Sequence, residues 1–136
     1  MSDRRAGVHP RLLAVVDRIL AGMAAWGHPM LITDGVRTVA QQVALYAQGR
    51  TLPGLVVTKR DGVTVRSNHQ PHVDGYGHAV DCAFLVDGVP SWAPSCPWAV
   101  YGAMVRHEGL VWGGGWTGFI DLPHAELPDD VVGVPV

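Results

Sequence analysis

The longest regular feature of the sequence is a stripe of apolar residues, Leu12, Val15, Val16, Ile19, Leu20, Met23 and Trp26, recurring every three or four positions across residues 11–26. That spacing belongs to an amphipathic helix, which has to lay its apolar face against other elements. Gly27 ends the period and Pro29 lies just beyond it, as expected where a helix stops. Everything after the stripe is shorter. Residues 30–33, Met-Leu-Ile-Thr, read as a buried strand, and Thr38 reads as the N-cap of a second helix running through Gln41, Gln42, Leu45 and Tyr46 to Gly49. A strand therefore delivers residues 34–37 to the mouth of a helix.

Residues 50–76 hold Pro53, Gly54, Gly62, Pro71 and Gly75 among short β-branched runs such as Leu55-Val56-Val57-Thr58, which predicts extended segments separated by turns. Residues 78–86 read as a buried strand, Asp87-Gly88 as a hairpin turn, and residues 97–107 as a third helix beginning near Ser95. Residues 110–112 and 122–127 complete a small sheet. No repeat or linker interrupts this order, so the expectation is one catalytic-sized domain over residues 1–136. Its fold class is α+β, a small, largely antiparallel sheet flanked by helices.

Composition limits the function classes. With 48% hydrophobic and 16% charged residues the chain is not of the disordered type. A formal net charge of −2 supplies no field to draw it onto nucleic acid or anionic lipid. Arg4 and Arg5 near the start are followed by no apolar export core, and no later stretch offers about 18 uninterrupted apolar residues. Synthesis in the cytoplasm without a signal peptide is the expectation. Cys82 and Cys96 form no CxxC pair and read as buried or incidental thiols.

Three segments could carry chemistry. His69, His72 and His78 fall within ten residues, with Asp74 among them and Asp81 just beyond, a density of imidazole and carboxylate that suits metal ligation but also a solvated polar loop. Asp121-Leu122-Pro123-His124-Ala125-Glu126 sets a carboxylate three residues before a histidine at a strand edge. There Asp121 and His124 could pair a proton acceptor with a ligand, or simply cap a turn. Thr33-Asp34-Gly35-Val36-Arg37-Thr38, with Gln41-Gln42 behind it, presents a guanidinium at a strand-to-helix turn. It could meet an oxyanion or make a surface ion pair.

Taken in order, these segments resemble the zinc peptidases of the D-alanyl-D-alanine carboxypeptidase and L-alanyl-D-glutamate endopeptidase type, phage endolysins included. In that family S-G-x-R-T with a Q-Q helix comes first, S-x-H-x-x-G-x-A-x-D second, and D-x-P-H-x-E last, usually after W-G-G-x-W. The corresponding stretches here are residues 33–42, 67–81 and 112–126, and the resemblance covers roughly residues 30–127. It implies a hedgehog/D-Ala-D-Ala peptidase-like fold. It also implies that His69, Asp81 and His124 bind Zn2+, that Asp121 is the catalytic carboxylate passing a proton from water to the departing amine, and that Arg37 stabilises the oxyanion or holds substrate. Ser67 and Gln42 fall at substrate-binding positions, and Glu126, two residues beyond His124 on the same strand face, would orient a ligand.

One interval departs from the pattern: eleven residues separate His69 from Asp81, where the compact form of the family has six. The excess, Pro71-His72-Val73-Asp74-Gly75, would loop out, leaving His72 as the rival ligand. His78 falls on the Val80 face of an extended strand and is not expected beside Asp81. Gly113-Gly114-Gly115 replaces a stretch where relatives often carry a polar or acidic residue before the second tryptophan. Trp112 and Trp116 could line the cleft, but tryptophan is more often core, and both stay outside the expected site.

The implied function is hydrolysis of peptidoglycan stem peptides, foremost as an L-alanyl-D-glutamate endopeptidase of endolysin type. The alternatives are a D-alanyl-D-alanine carboxypeptidase or dipeptidase, or an inactive zinc-binding wall-recognition domain. A monomer is expected, acting on the cell wall from the periplasmic side, without nucleic-acid or stable membrane association. As an endolysin it would depend on a holin-type permeabilising partner to leave the cytoplasm.

Overall fold

A computed structural model of the chain describes residues 4–128. The apolar stripe forms helix α1, Pro10–Ala25, which buries Leu12, Val15, Val16, Ile19 and Met23. Its N-cap is His9, whose Nδ1 accepts from the backbone N–H of Arg11. Strand β1, Met30–Asp34, follows, then helix α2, Val39–Ala47. Thr38 caps α2 in a full capping box: its hydroxyl accepts from Gln41 N–H, and the Gln41 side chain accepts from Thr38 N–H. Strand β2, Ala79–Val86, turns through Asp87 and Gly88, both in the left-handed region, into β3, Val89–Ser91. Helix α3, Trp98–His107, leads to β4, Val111–Trp112, a single 3-10 turn at Gly113–Gly115, and β5, His124–Glu126.

All five strands pair antiparallel in the order β1-β2-β5-β4, with β3 joined to β2 beyond that path. The centre of the sheet is β2. Its residues Val80, Cys82 and Phe84 join Leu12, Val16, Ile19 and Met23 of α1 and Trp98, Tyr101 and Val105 of α3 in one apolar core. Since side chains alternate across a strand, Asp81 points away from that core. The same alternation in β5 sends Ala125 inward and leaves His124 and Glu126 on the face of Asp81. Both cysteines are free thiols, and burial pushes Cys82 up to about 12.

Between α2 and β2 the expected extended segments do not join the sheet. Residues 48–78 contain turns and bends with one isolated bridge pair, Gln48 with Leu52, and a second, Gly77 with Val8. Leu55, Val56 and Val57 remain exposed, outside the sheet. Local hydrogen bonds shape this region instead: Asp61 Oδ1 accepts from the N–H groups of Val63, Thr64 and Val65. With the Thr64 hydroxyl, these bonds lower the Asp61 carboxyl to about 2. No helix among the described residues is long and apolar enough to cross a membrane.

Candidate metal centre

Strand register assembles the site. Asp81 on β2 lies opposite His124 on β5 and, on its other side, opposite Asp34 at the end of β1. His69 arrives from the loop before β2. Its backbone is fixed by Arg37 N–H donating to its carbonyl at 2.9 Å and by its own N–H donating to Ser67 Oγ at 3.2 Å. Three side-chain atoms then converge: His69 Nε2 and His124 Nδ1 are 3.3 Å apart, and each stands 3.4 and 3.3 Å, respectively, from Asp81 Oδ1.

The outer nitrogens explain why the inner ones are lone pairs. His69 Nδ1 lies 2.9 Å from the Gly35 carbonyl and His124 Nε2 lies 2.6 Å from Glu126 Oε1, acceptors to which each must donate its proton. Asn68 Nδ2 donates to the other oxygen of Glu126 at 2.6 Å, so the residue beside one histidine steadies the carboxylate behind the other. Asp81 Oδ1 is buried and accepts no hydrogen bond.

Three acceptor atoms that face one another in a buried site without a proton between them call for a cation. Tetrahedral zinc with bonds of about 2.0–2.1 Å sets neighbouring donors about 3.3–3.4 Å apart, which is the observed triangle. His69, Asp81 and His124 therefore fit a metal ion in donor type, orientation and spacing. The local field draws positive charge into the site. Burial acts to lower the His124 imidazole, but the Asp81 and Glu126 carboxylates outweigh it and push it up to about 9, so a proton competes with a metal ion for its inner nitrogen. Burial acts to raise Asp81, yet the charges of His69 and His124 hold it well below the usual carboxylate range.

Asp121 stands beside this triangle rather than in it, its Oδ2 3.7 Å from His124 Nδ1. Burial first, then the charge of Asp81, raises its carboxyl above the ordinary value. Its position depends on Gly113, where a Cβ would come within 2.4 Å of the Asp121 carbonyl; the Asp121 N–H donates to the Gly113 carbonyl at 3.0 Å. Arg37 lies across the other side. Its Nε donates to Asp34 Oδ2 at 2.8 Å, its terminal nitrogens to Gln42 Oε1 at 3.0 Å and Asp81 Oδ2 at 3.2 Å, and it still lines the cleft with His69, Asp121 and His124.

Sequence comparison identifies the family. The family model described as D-alanyl-D-alanine carboxypeptidase matches residues 60–127. Over 129 positions the chain is 32% identical to the peptidoglycan L-alanyl-D-glutamate endopeptidase CwlK of Bacillus subtilis (strain 168), an alignment covering 88% of this chain and 73% of that protein. The chain belongs to the D-alanyl-D-alanine carboxypeptidase family. Its fold superposes on the crystal structure of the Serratia marcescens L-Ala D-Glu endopeptidase ChiX with a TM-score of 0.68 and 27% identity, covering 96% of this chain and 88% of that one.

Against the expectations for a D-alanyl-D-alanine carboxypeptidase family member, His69, Asp81, His124, Asp121, Arg37 and Glu126 come together in one place. Ser67 lines the same cleft, with its hydroxyl holding His69 N–H. Gln42 requires a correction. It is fully buried, with its amide oxygen on Arg37 and its amide nitrogen donating to the Arg60 carbonyl and the Thr58 hydroxyl. It has no surface for substrate and instead holds the guanidinium in place.

His72 lies apart from the triangle. Its ring stacks on His78 at 3.7 Å between centroids and 4° between planes, and His78 Nε2 donates to Asp74 at 2.7 Å. Two contributors escaped sequence reasoning. Gly35 acts through its carbonyl, for which no side chain gives a signal, and Asn68 shows only as the variable residue of a serine-x-histidine motif. Trp116, outside the expected site, lines the cleft with its ring 4.8 Å from that of His124, whereas Trp112 turns inward and donates to the Leu122 carbonyl at 2.8 Å.

Proposed function

We propose that this chain is a zinc-dependent L-alanyl-D-glutamate endopeptidase that hydrolyses peptidoglycan stem peptides, with His69, Asp81 and His124 as the zinc ligands. The observation that carries the reading is the triangle of three lone-pair donors at 3.3, 3.3 and 3.4 Å, with Asp121 at its edge. Zinc bound there supplies Lewis acidity toward a water and a carbonyl oxygen. Asp121, raised above its ordinary value and open to the cleft, accepts a proton from the attacking water and returns it to the departing amine. Arg37 holds positive charge next to the position where the carbonyl oxygen becomes an oxyanion. Asp34 and Gln42 fix its guanidinium, and Glu126 with Asn68 keeps the His124 ring turned toward the metal.

The relatives named above support the endopeptidase assignment, and the family description supports a D-alanyl-D-alanine carboxypeptidase as a second reading. Arg37 argues for the first: with Asp34 and Asp81 already on its guanidinium, it is a poor receptor for a free terminal carboxylate. In this reading the chain acts as a single monomeric catalytic domain on the cell wall. An endolysin role, with synthesis in a host cytoplasm and release through a holin-type partner, fits the same chemistry. Digestion of purified sacculi, with the new termini identified by mass spectrometry, tests the bond. New alanine carboxyl and glutamate amino termini are expected; release of terminal D-alanine alone would favour the carboxypeptidase.

A further inference from the structure

The cleft has two walls above the metal ligands, residues 57–60 on one side and residues 116–119 on the other. Three cations line it, and two are already engaged. Arg37 is held by Asp34 and Asp81, and Arg60 donates to the Arg66 carbonyl at 3.1 Å. Lys59 is different: it is exposed and pairs with no carboxylate among the described residues. Its amine reaches over to the opposite wall, 3.5 Å from where a Cβ on Gly118 would stand. A cation spans the mouth of the cleft at a point where the facing residue has no side chain.

The carboxylates of the cleft sharpen the question of what this cation meets. Asp121 and Glu126 line its inner part, so an anionic substrate would be repelled there without a compensating charge. Under the endopeptidase reading, on which this inference rests, the scissile bond precedes a glutamate. Glutamate brings two carboxyl groups and the peptide continues through only one. A free carboxylate therefore lies within one residue of the bond to be cut.

We infer that Lys59 is a specificity-determining residue that binds this free carboxylate of the substrate and discriminates against peptides in which it is a carboxamide. The pairing is a charge-assisted contact at a solvent-exposed lip, so its effect is modest and sensitive to salt. It acts on recognition rather than on the reacting atoms.

The test uses two synthetic stem peptides that differ only in carboxylate or carboxamide at that glutamate carbon, with kcat/KM measured for each. Wild-type protein is expected to prefer the carboxylate by about fivefold, the upper scale of one exposed charge pair. In Lys59→Gln the ratio should fall below about threefold, while Lys59→Arg keeps it and added salt erodes it in the wild type. Zinc content and melting temperature on the same samples report whether the cleft is intact. An unchanged ratio in intact Lys59→Gln overturns the assignment of Lys59 and leaves the endopeptidase reading standing. Fully metallated wild type that opens neither peptide overturns the endopeptidase reading, and the assignment falls with it.

Discussion

Two clusters of histidine and aspartate flank the start of β2, and only one of them is built to hold a metal. In the first, His69 and His124 hand their outer protons to Gly35 and Glu126 and turn bare nitrogens toward Asp81. In the second, His72 and His78 lie face to face, His78 donates inward to Asp74, and His9 Nε2 stands 3.8 Å from the same carboxylate oxygen. Parallel stacked rings point their nitrogens side by side instead of at one point. The difference lies in what sits behind each ring. A count of imidazoles and carboxylates cannot supply that information; the acceptors of the outer protons can.

The sharpest way to break the comparison is to delete one histidine from each cluster. His69→Ala should lose zinc and all measurable cleavage, whereas His72→Ala should keep zinc stoichiometry near wild type by metal analysis. Zinc retained by the first variant and lost by the second would put the ligand on the inserted loop. Chelation should lower the melting temperature of the wild type and of His72→Ala but not that of His69→Ala.

Asp121→Asn separates zinc content from turnover within the first cluster. The variant should stay folded and metallated while cleavage falls by about 10²–10⁴-fold, the usual worth of general acid–base assistance. Near wild-type cleavage by a metallated sample would remove Asp121 from the mechanism and make Glu126 the next carboxylate to examine. Glu126→Gln, which weakens the hold on the outer proton of His124, should cost about 10–100-fold in zinc affinity by competition with a chelating dye. Unchanged affinity would show that the hydrogen bond at 2.6 Å does not orient the ligand.

The smallest effect belongs to the second cluster. Asp74→Asn should leave zinc and cleavage intact and cost about 1 kcal/mol of stability by denaturant titration, as expected for one part-buried hydrogen-bonded pair. Burial works to raise the Asp74 carboxyl, but the Tyr76 N–H, His78 and His9 lower it below its ordinary value. A depressed carboxylate stabilises the fold above the unfolded value and ceases to do so as pH falls through the folded one. The difference between wild type and Asp74→Asn should therefore shrink in strong acid; loss of zinc from the variant at neutral pH would join the two clusters into one.

Legibility from sequence followed the same division. The stripe of α1, the N-cap at Thr38 and the hairpin at Asp87-Gly88 were readable because each depends on side chains a few residues apart. The ordered motifs brought forward the residues that the sheet then gathers, since Asp81 and His124 face each other by simple strand alternation. What stayed hidden depends on partners distant in sequence or on backbone atoms. Gln42 read as a substrate contact because its burial under residues 58–60 is set by a loop that has no periodicity. The run at residues 55–58 read as extended because β-branched residues favour strands, but it pairs with no strand of the sheet.

The three-residue length of β5 has a further consequence for how this protein folds. So few ladder hydrogen bonds leave its register to be set by which side chains face the core, and a slip of one position would exchange the faces of every residue on the strand. His124 and Glu126 would turn into the apolar layer and Ala125 would face the cleft. A molecule paired that way could satisfy much of its backbone yet could not assemble the donor triangle. Under the zinc reading, metal binding would therefore proofread strand pairing, and zinc occupancy after refolding would count the molecules in which β5 docked in step.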